Sequence, residues 1–412
     1  MKNLLIIGAG TAGTIVANRM SRDLRGWAVT VVDPGADHAY QAGLLHVPFD
    51  MLDEASITRP RTSTLGPHVR WVREAVRAID TSGRTVETRE GGKYDYDIIV
   101  IASGCRIRPD LTEGLTGEGW GTTAFDFYTQ AGSSALKRAL AAFEGGRLVV
   151  NVVEMPIKCP VAPLEFLFLA DAYFTERKMR DRVELVYATP LDAAFTKPIA
   201  ARTLGHLLDQ KGISVETEFS TAEVDGGARV VRSFDDREVA YDLLVSIPTH
   251  SGADFIETSG LGNELAFVPA DKNTLAVDGH ENVFVLGDAG DFPTSKAGSV
   301  AHFQADALES NLVRATRGLG PLPTFDGHAN CFVETGHGKA LLIDFNYETE
   351  PLTGDYPVPG VGPFSLLEES RANHAGKMAF RWLYWNALLR GRPLPVPAHM
   401  SLAGKHLPTT PT

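Results

Sequence analysis

The chain has 412 residues, too long for one ordinary core and suited to two or three domains. With 44% hydrophobic and 22% charged residues it reads as soluble and globular, and a net charge of −12 excludes a basic nucleic-acid-binding face. Three cysteines are too few for a disulfide scaffold, though any of them can carry chemistry.

The first element is LLIIGAGTAGTIVANRM (4–20): a buried strand, a tight turn, then a helix. Gly8, Gly10 and Gly13 make the G-x-G-x-x-G spacing, with Thr11 and Ala12 inside it. The first glycine allows the turn, the second lets backbone approach a pyrophosphate, and the third lets helix and strand pack closely. The amides at the helix N-terminus then face the phosphates. The next strand, WAVTVVD (27–33), ends in Asp33, an acid placed to bind ribose hydroxyls. MKNLLIIGAG runs straight into the first strand and has no feature of a secretory signal.

Two later segments bear on which dinucleotide binds. YDYDIIVIASGCRIRP (94–109) is an apolar strand ending in Ser103-Gly104. NVFVLGDAGDFP (282–293) ends in Gly287-Asp288, an acid suited to a ribityl hydroxyl. TSKAGSVAHFQADALESNL (294–312) then predicts a helix whose first amides point at a flavin edge. These features resemble the FAD site of the two-dinucleotide-binding-domain flavoproteins. Val76, Lys296 and Ala297 complete the expected FAD contacts. No metal is expected.

Residues 146–260 predict a second βαβ unit. LVVNVV (148–153) is its first strand, PLEFLFLADAYFTERK (163–178) its helix and VELVYATP (183–190) its second strand. An NADH-using relative would carry a Gly-rich turn after the first strand and an acid after the second. Here the turn is EMPIKCPVAPLEF (154–166), with Cys159 between prolines and no glycine, and the second strand ends at Thr189. The fold is expected to remain and the pyridine-nucleotide site to be lost. A thiol near a helix N-terminus is favoured as thiolate, the nucleophilic form. A buried structural cysteine fits the same residues.

HANCFVETGHGKALLIDFNY (328–347) holds Cys331 in a strand, before a bend at Gly336 and Gly338. Spacing alone does not show that Cys159 and Cys331 meet. A cysteine after the second unit's first strand, together with a Cys-Phe opening the C-terminal region, resembles sulfide:quinone oxidoreductase and the flavoprotein subunit of flavocytochrome c sulfide dehydrogenase. The resemblance implies that Cys159 and Cys331 form a redox pair over the flavin. Glu165 matches a family acid associated with proton transfer, although an ordinary first-turn helix acid fits as well. The resemblance further implies that hydrosulfide attacks a Cys159–Cys331 disulfide, leaving a persulfide, and that electrons pass through FAD to a quinone. Cys105 does not match the third cysteine of many members and reads as structural. ADHAYQAGLLH (36–46) lacks the cysteine that would bind flavin covalently, so FAD is expected to be non-covalent.

The last element is GKMAFRWLYWNALLRGRPLPVP (376–397), an aromatic run flanked by Lys377, Arg381, Arg390 and Arg392. About 14 helical residues reach ~21 Å, short of the ~30 Å hydrocarbon core. The run therefore predicts an interfacial helix on the membrane surface, or a helix packed on the body or on a second subunit. Together these features predict an α/β chain with two Rossmann-like units. The FAD-binding part is discontinuous (1–145 and 261–320), the glycine-poor unit spans 146–260, and a C-terminal region spans 321–412. The expected location is peripheral, on the cytoplasmic side of the cell membrane, and a homo-oligomer is compatible. An NADH:quinone reductase, a sulfide dehydrogenase with a haem partner and a non-catalytic redox sensor or assembly subunit are the competing readings.

Overall fold

The computed structural model describes residues 1–394 and 396–407. Its frame is an α/β fold with two parallel sheets. The first runs in the order 283–285, 98–101, 2–7, 27–32, 69–72, with every neighbouring pair parallel. Residues 4–7 of its central strand are buried on both faces, which is why they form an unbroken apolar run. Helix α1 (Thr11–Asp23) follows that strand. The chain leaves the sheet after Ile101 and rejoins it only with Val283–Val285.

The second sheet has the order 124–125, 243–247, 146–152, 183–188, 214–216, again parallel. Helices α2 (Gln130–Ala142), α3 (Ala162–Glu176), α4 (Pro198–Gln210) and the short α5 (Asp254–Thr258) lie in this stretch. α3 is apolar almost all round, and such a helix must be covered on every side. It rests on strands of the second sheet and on the C-terminal strand Ala329–Gly336.

Helix α6 (Gly298–Thr316) begins at Gly298, not at Thr294 as the sequence suggests. The preceding residues are held elsewhere: Thr294 donates to Gly327 O, and Lys296 pairs with Lys158 as an isolated bridge. The C-terminal sheet has the order 329–336, 339–345, 362–366, 354–358. Helix α7 (Arg371–Leu383) is capped by Ser370, whose side chain accepts from Asn373 N, and runs into one π-helical turn, Tyr384–Leu388.

That π turn changes the reading of the aromatic run. It buries Tyr384 and Trp385 against His38, Tyr40 and Arg59. Leu388 and Leu389 are buried too, and only Trp382 among the aromatics of the run is largely exposed, at 68%. The expected lipid anchors therefore serve mainly as core. No helix of the described residues is long and apolar enough to cross a membrane.

Four buried histidines set the acid limit of the fold. Burial pushes His38 and His302 down to about 4, and His46 and His250 down to about 3. An unfolded histidine takes its proton near 6.5, so between about 6.5 and 4 the unfolded chain binds protons that the folded one refuses. Stability is present above that window and falls with pH inside it, by up to about 1.4 kcal/mol per pH unit per histidine. Burial raises Glu165 to about 6, which opposes only part of this. The melting temperature is expected to fall steadily from pH 6.5 to pH 4.5. A flat profile would show that these histidines are protonated in the folded chain.

Candidate active site

The glycine turn after the first strand packs as its spacing requires. Gly8 has a φ of +98°, and a Cβ there would lie 2.5 Å from Ala102 O. A Cβ on Gly13 would lie 1.9 Å from Gly8 O, so helix and turn close only with glycine there. Gly10 has open space in front of it. Neither α1 nor α6 has a side-chain cap or an acidic residue in its first turn. Both helix N-termini line one cavity, through Gly10, Thr11 and Ala12 on one side and Ala297 and Gly298 on the other. Their free amides and dipoles favour anionic or electron-rich groups.

Ser103, Gly104, Asp288 and Lys296 line the same cavity. Ser103 Oγ is buried with no hydrogen-bond partner among the described residues. Burial raises the Asp288 carboxyl above its ordinary range. The Lys296 ammonium is turned into protein, donating to Asp288 O at 3.1 Å and Gly290 O at 2.7 Å. Gly8, Gly13, Asp33 and Val76 do not line the cavity. Asp33 braces the turn, accepting from Ala9 N at 2.7 Å and Gly35 N at 2.8 Å, with Arg61 at 3.2 Å. Val76 packs in the strand Val76–Asp80 of a small antiparallel sheet.

Cys159, Cys331 and Glu165 line this cavity as well. Cys159 has a φ of +49°, left-handed backbone that L-residues with a Cβ adopt at a cost of roughly 1–2 kcal/mol. The turn has lost its glycines but keeps a glycine-like conformation at the thiol. Its N–H donates to Lys296 O at 2.6 Å, and Ala162 N donates to Cys159 O at 2.8 Å. Cys331 lies on the strand Ala329–Gly336, opposite Ile343. Both are free thiols in the structure.

At Cys159 burial works against the helix dipole. Burial pushes this thiol well above its ordinary value, and Cys331 and Glu165 add to the rise. Burial likewise pushes Cys331 up to about 11. Lys377 is the cation that acts against the rise at both. Cys105 also lines the cavity, where burial and Asp288 push it up to about 12.

Sequence reasoning misses Lys377 and Tyr384 as site residues. It counts Lys377 among the cations flanking a membrane run, yet its ammonium pairs with Glu165 and donates to Phe332 O at 2.8 Å. The sole sequence signal is a lysine one turn before Phe380 and Arg381, which any surface helix could carry. Tyr384 closes a chain of bonds at the cradle. His38 Nδ1 must donate to Ala9 O, at 3.1 Å, so Nε2 accepts from the Tyr384 hydroxyl at 2.6 Å, which in turn accepts from Thr11 Oγ1 at 2.8 Å.

Two sheets, a glycine cradle and a cysteine turn in place of a second cradle define a flavin-dependent oxidoreductase. A sequence model described as pyridine nucleotide-disulphide oxidoreductase matches residues 2–150. The mitochondrial sulfide:quinone oxidoreductase of Mus musculus is 26% identical over 402 residues, covering 94% of this chain and 86% of the relative. That of Schizosaccharomyces pombe is 26% identical over 426 residues, covering 94% and 90%. The solved sulfide:quinone oxidoreductase of Aquifex aeolicus superposes with a TM-score of 0.77 at 18% identity, covering 95% of this chain and 92% of that one. The chain is thus similar to sulfide:quinone oxidoreductases over nearly its whole length, and its residues 2–150 to the pyridine nucleotide-disulphide oxidoreductases.

Proposed function

We propose that this protein oxidises sulfide through Cys159 and Cys331 and passes the electrons, by way of non-covalent FAD, to a quinone. The observation that carries the reading is the single cavity lined by both cysteines, Glu165 and two uncapped helix N-termini. The cradle fits the cofactor: Gly10 and the α1 amides for the pyrophosphate, Asp288 for the ribityl chain, the α6 amides for the ring edge, and the unpartnered Ser103 hydroxyl as a further contact. Bound there, FAD supplies the two-electron acceptor that returns the cysteine pair to the disulfide level and reduces a quinone in turn.

The chain's own residues account for the rest. Hydrosulfide attacks one sulfur of a Cys159–Cys331 disulfide; the S–S bond breaks, one cysteine holds the new sulfur as a persulfide, and the other leaves as thiolate. A buried thiolate is costly, and Lys377 supplies the charge that meets it. Glu165, raised to about 6 chiefly by burial, accepts the persulfide proton near neutral pH. The sulfur then leaves to an acceptor. A membrane supplies the quinone, and Val361 and Trp382, the most exposed large apolar side chains of the C-terminal region among the described residues, suit a lipid surface.

Anaerobic titration of the flavin spectrum tests the reading. Sulfide is expected to bleach the flavin, a quinone analogue to restore it, and NADH to leave it unchanged. The last expectation rests on a turn, 154–160, with no glycine and a second strand that ends at Ala188 and is followed by Thr189. Rapid bleaching by NADH, with none by sulfide, would turn the assignment to an NADH:quinone reductase, a class represented by a Staphylococcus epidermidis relative at 22% identity.

A further inference from the structure

Behind the cysteines lies a group of buried ionisable side chains, of which that mechanism uses Glu165 and Lys377 and leaves Glu334 and His374 unused. Glu165 and Glu334 both have side chains only 1% exposed. Lys377 is paired with the first, and both carboxylates act on it. Its ammonium also holds Phe332 O, the carbonyl next in sequence to Cys331. Glu334 lies on the same strand as Cys331 and accepts from His374 Nδ1 at 2.9 Å through both oxygens. His374 is one helical turn before Lys377 on α7, and its side chain is 27% exposed. The group thus runs from the cavity wall to a side chain that water can reach.

We propose that Glu334 and His374 form the proton outlet of the cysteine site, with Glu165 and Lys377 as its inner station. This rests on the sulfide reading above. When hydrosulfide opens the disulfide, the persulfide carries one proton that must leave as its sulfur becomes anionic. Glu165 takes that proton, which then passes to Glu334 past the Lys377 ammonium. His374 releases it to solvent. No electrons move in this transfer, and Lys377 keeps the two carboxylates from carrying uncompensated charge together. A salt bridge built only for stability needs no second buried carboxylate near the same lysine and no partly exposed histidine on that carboxylate.

The remaining titratable groups around the outlet are Cys159, Cys331, Tyr40 and His46. His46 Nδ1 is bonded to Ala42 O at 3.1 Å, its Nε2 has no partner among the described residues, and burial keeps it neutral down to about 3. Burial pushes Tyr40 far up, so it stays neutral as well. Neither competes for the proton between pH 5 and 9.

Stopped-flow bleaching of the FAD-loaded enzyme by sulfide, from pH 5 to 9, tests the outlet. His374→Gln and Glu334→Gln are each expected to slow bleaching about tenfold at pH 7, less than loss of a direct general base, and to flatten the pH profile. The FAD spectrum should be unchanged in both. Added imidazole is expected to restore the rate of His374→Ala. Unchanged rate and pH profile in both Gln variants would overturn the outlet and leave the sulfide reading standing. A slowed rate with an unaltered profile and no imidazole rescue would show a structural role and overturn it too. No bleaching of the wild-type enzyme would overturn the sulfide reading, and the outlet with it.

Discussion

Replacing Cys159 or Cys331 by serine is expected to abolish bleaching of the flavin by sulfide, by at least about a thousandfold, while FAD stays bound. Serine is close to cysteine in volume, so the cavity keeps its shape. Its hydroxyl forms neither a disulfide nor a persulfide, and at neutral pH it is a poor nucleophile. The two cysteines act as one unit, so the double variant should be about as inactive as either single one. Cys105→Ser should keep most of the activity: the charges that act on Cys105 are Asp288, Lys158 and Lys296, not the other cysteines or Glu165.

Cys159→Gly separates chemistry from packing. The left-handed φ of +49° suits glycine, so strain is relieved while chain entropy is lost, and these effects are each about 1 kcal/mol. The melting temperature should move little and activity should vanish. Normal bleaching in any Cys159 or Cys331 variant, measured by stopped-flow absorbance, would remove the cysteine pair from the mechanism.

Tyr384→Phe is expected to weaken FAD binding about tenfold or more, read from the flavin released on dilution. The phenol oxygen joins Thr11, the first residue of α1, to His38, which itself holds Ala9 O in the glycine turn. Removing it leaves a buried imidazole nitrogen without a donor, and such a loss costs about 1–3 kcal/mol. The clamp continues beyond Tyr384. Asn18 donates to Leu389 O, and Arg22 to Arg390 O and Gly391 O, both at 2.8 Å. A chain ending at Leu383 lacks all of these bonds and should elute from gel filtration without flavin. Full retention of FAD by Tyr384→Phe would mean that the aromatic packing alone holds the segment.

What was legible in the sequence follows from distance along the chain. Gly8, Gly10 and Gly13 announce their geometry because turn, strand and helix are adjacent in sequence, and the structure shows the close contacts that Gly8 and Gly13 permit and the open space at Gly10. The missing glycines after Val153 are legible for the same reason. The meeting of Cys159 and Cys331 in one cavity is a long-range fact that only a family resemblance could suggest. Lys377, Glu334 and His374 carry no local signature, since each looks like an ordinary charged residue until α7 is laid across the strand from Ala329. The aromatic run was open to two readings for a physical reason. An amphipathic segment presents the same pattern to a bilayer as to a protein surface, and the π turn that faces Tyr384 and Trp385 inward has no clear sequence signal. α6 starts late because Lys296 pairs with a turn far earlier in the chain and Thr294 is held by Gly327 beyond the helix.

That pairing bears on how the molecule moves. The amide of Cys159, on the turn of the second sheet, is bonded to the carbonyl of Lys296, on the approach to the helix that follows the first sheet's last strand. A hinge between the two sheets would have to break this backbone bond at the residue that carries the thiol. The two lobes are therefore tied together at the reacting residue, and any opening between them there costs this bond, about 1 kcal/mol net. The Cys159 amide should accordingly be among the slowest of its turn to exchange with deuterium, and its protection should not change when a quinone analogue binds.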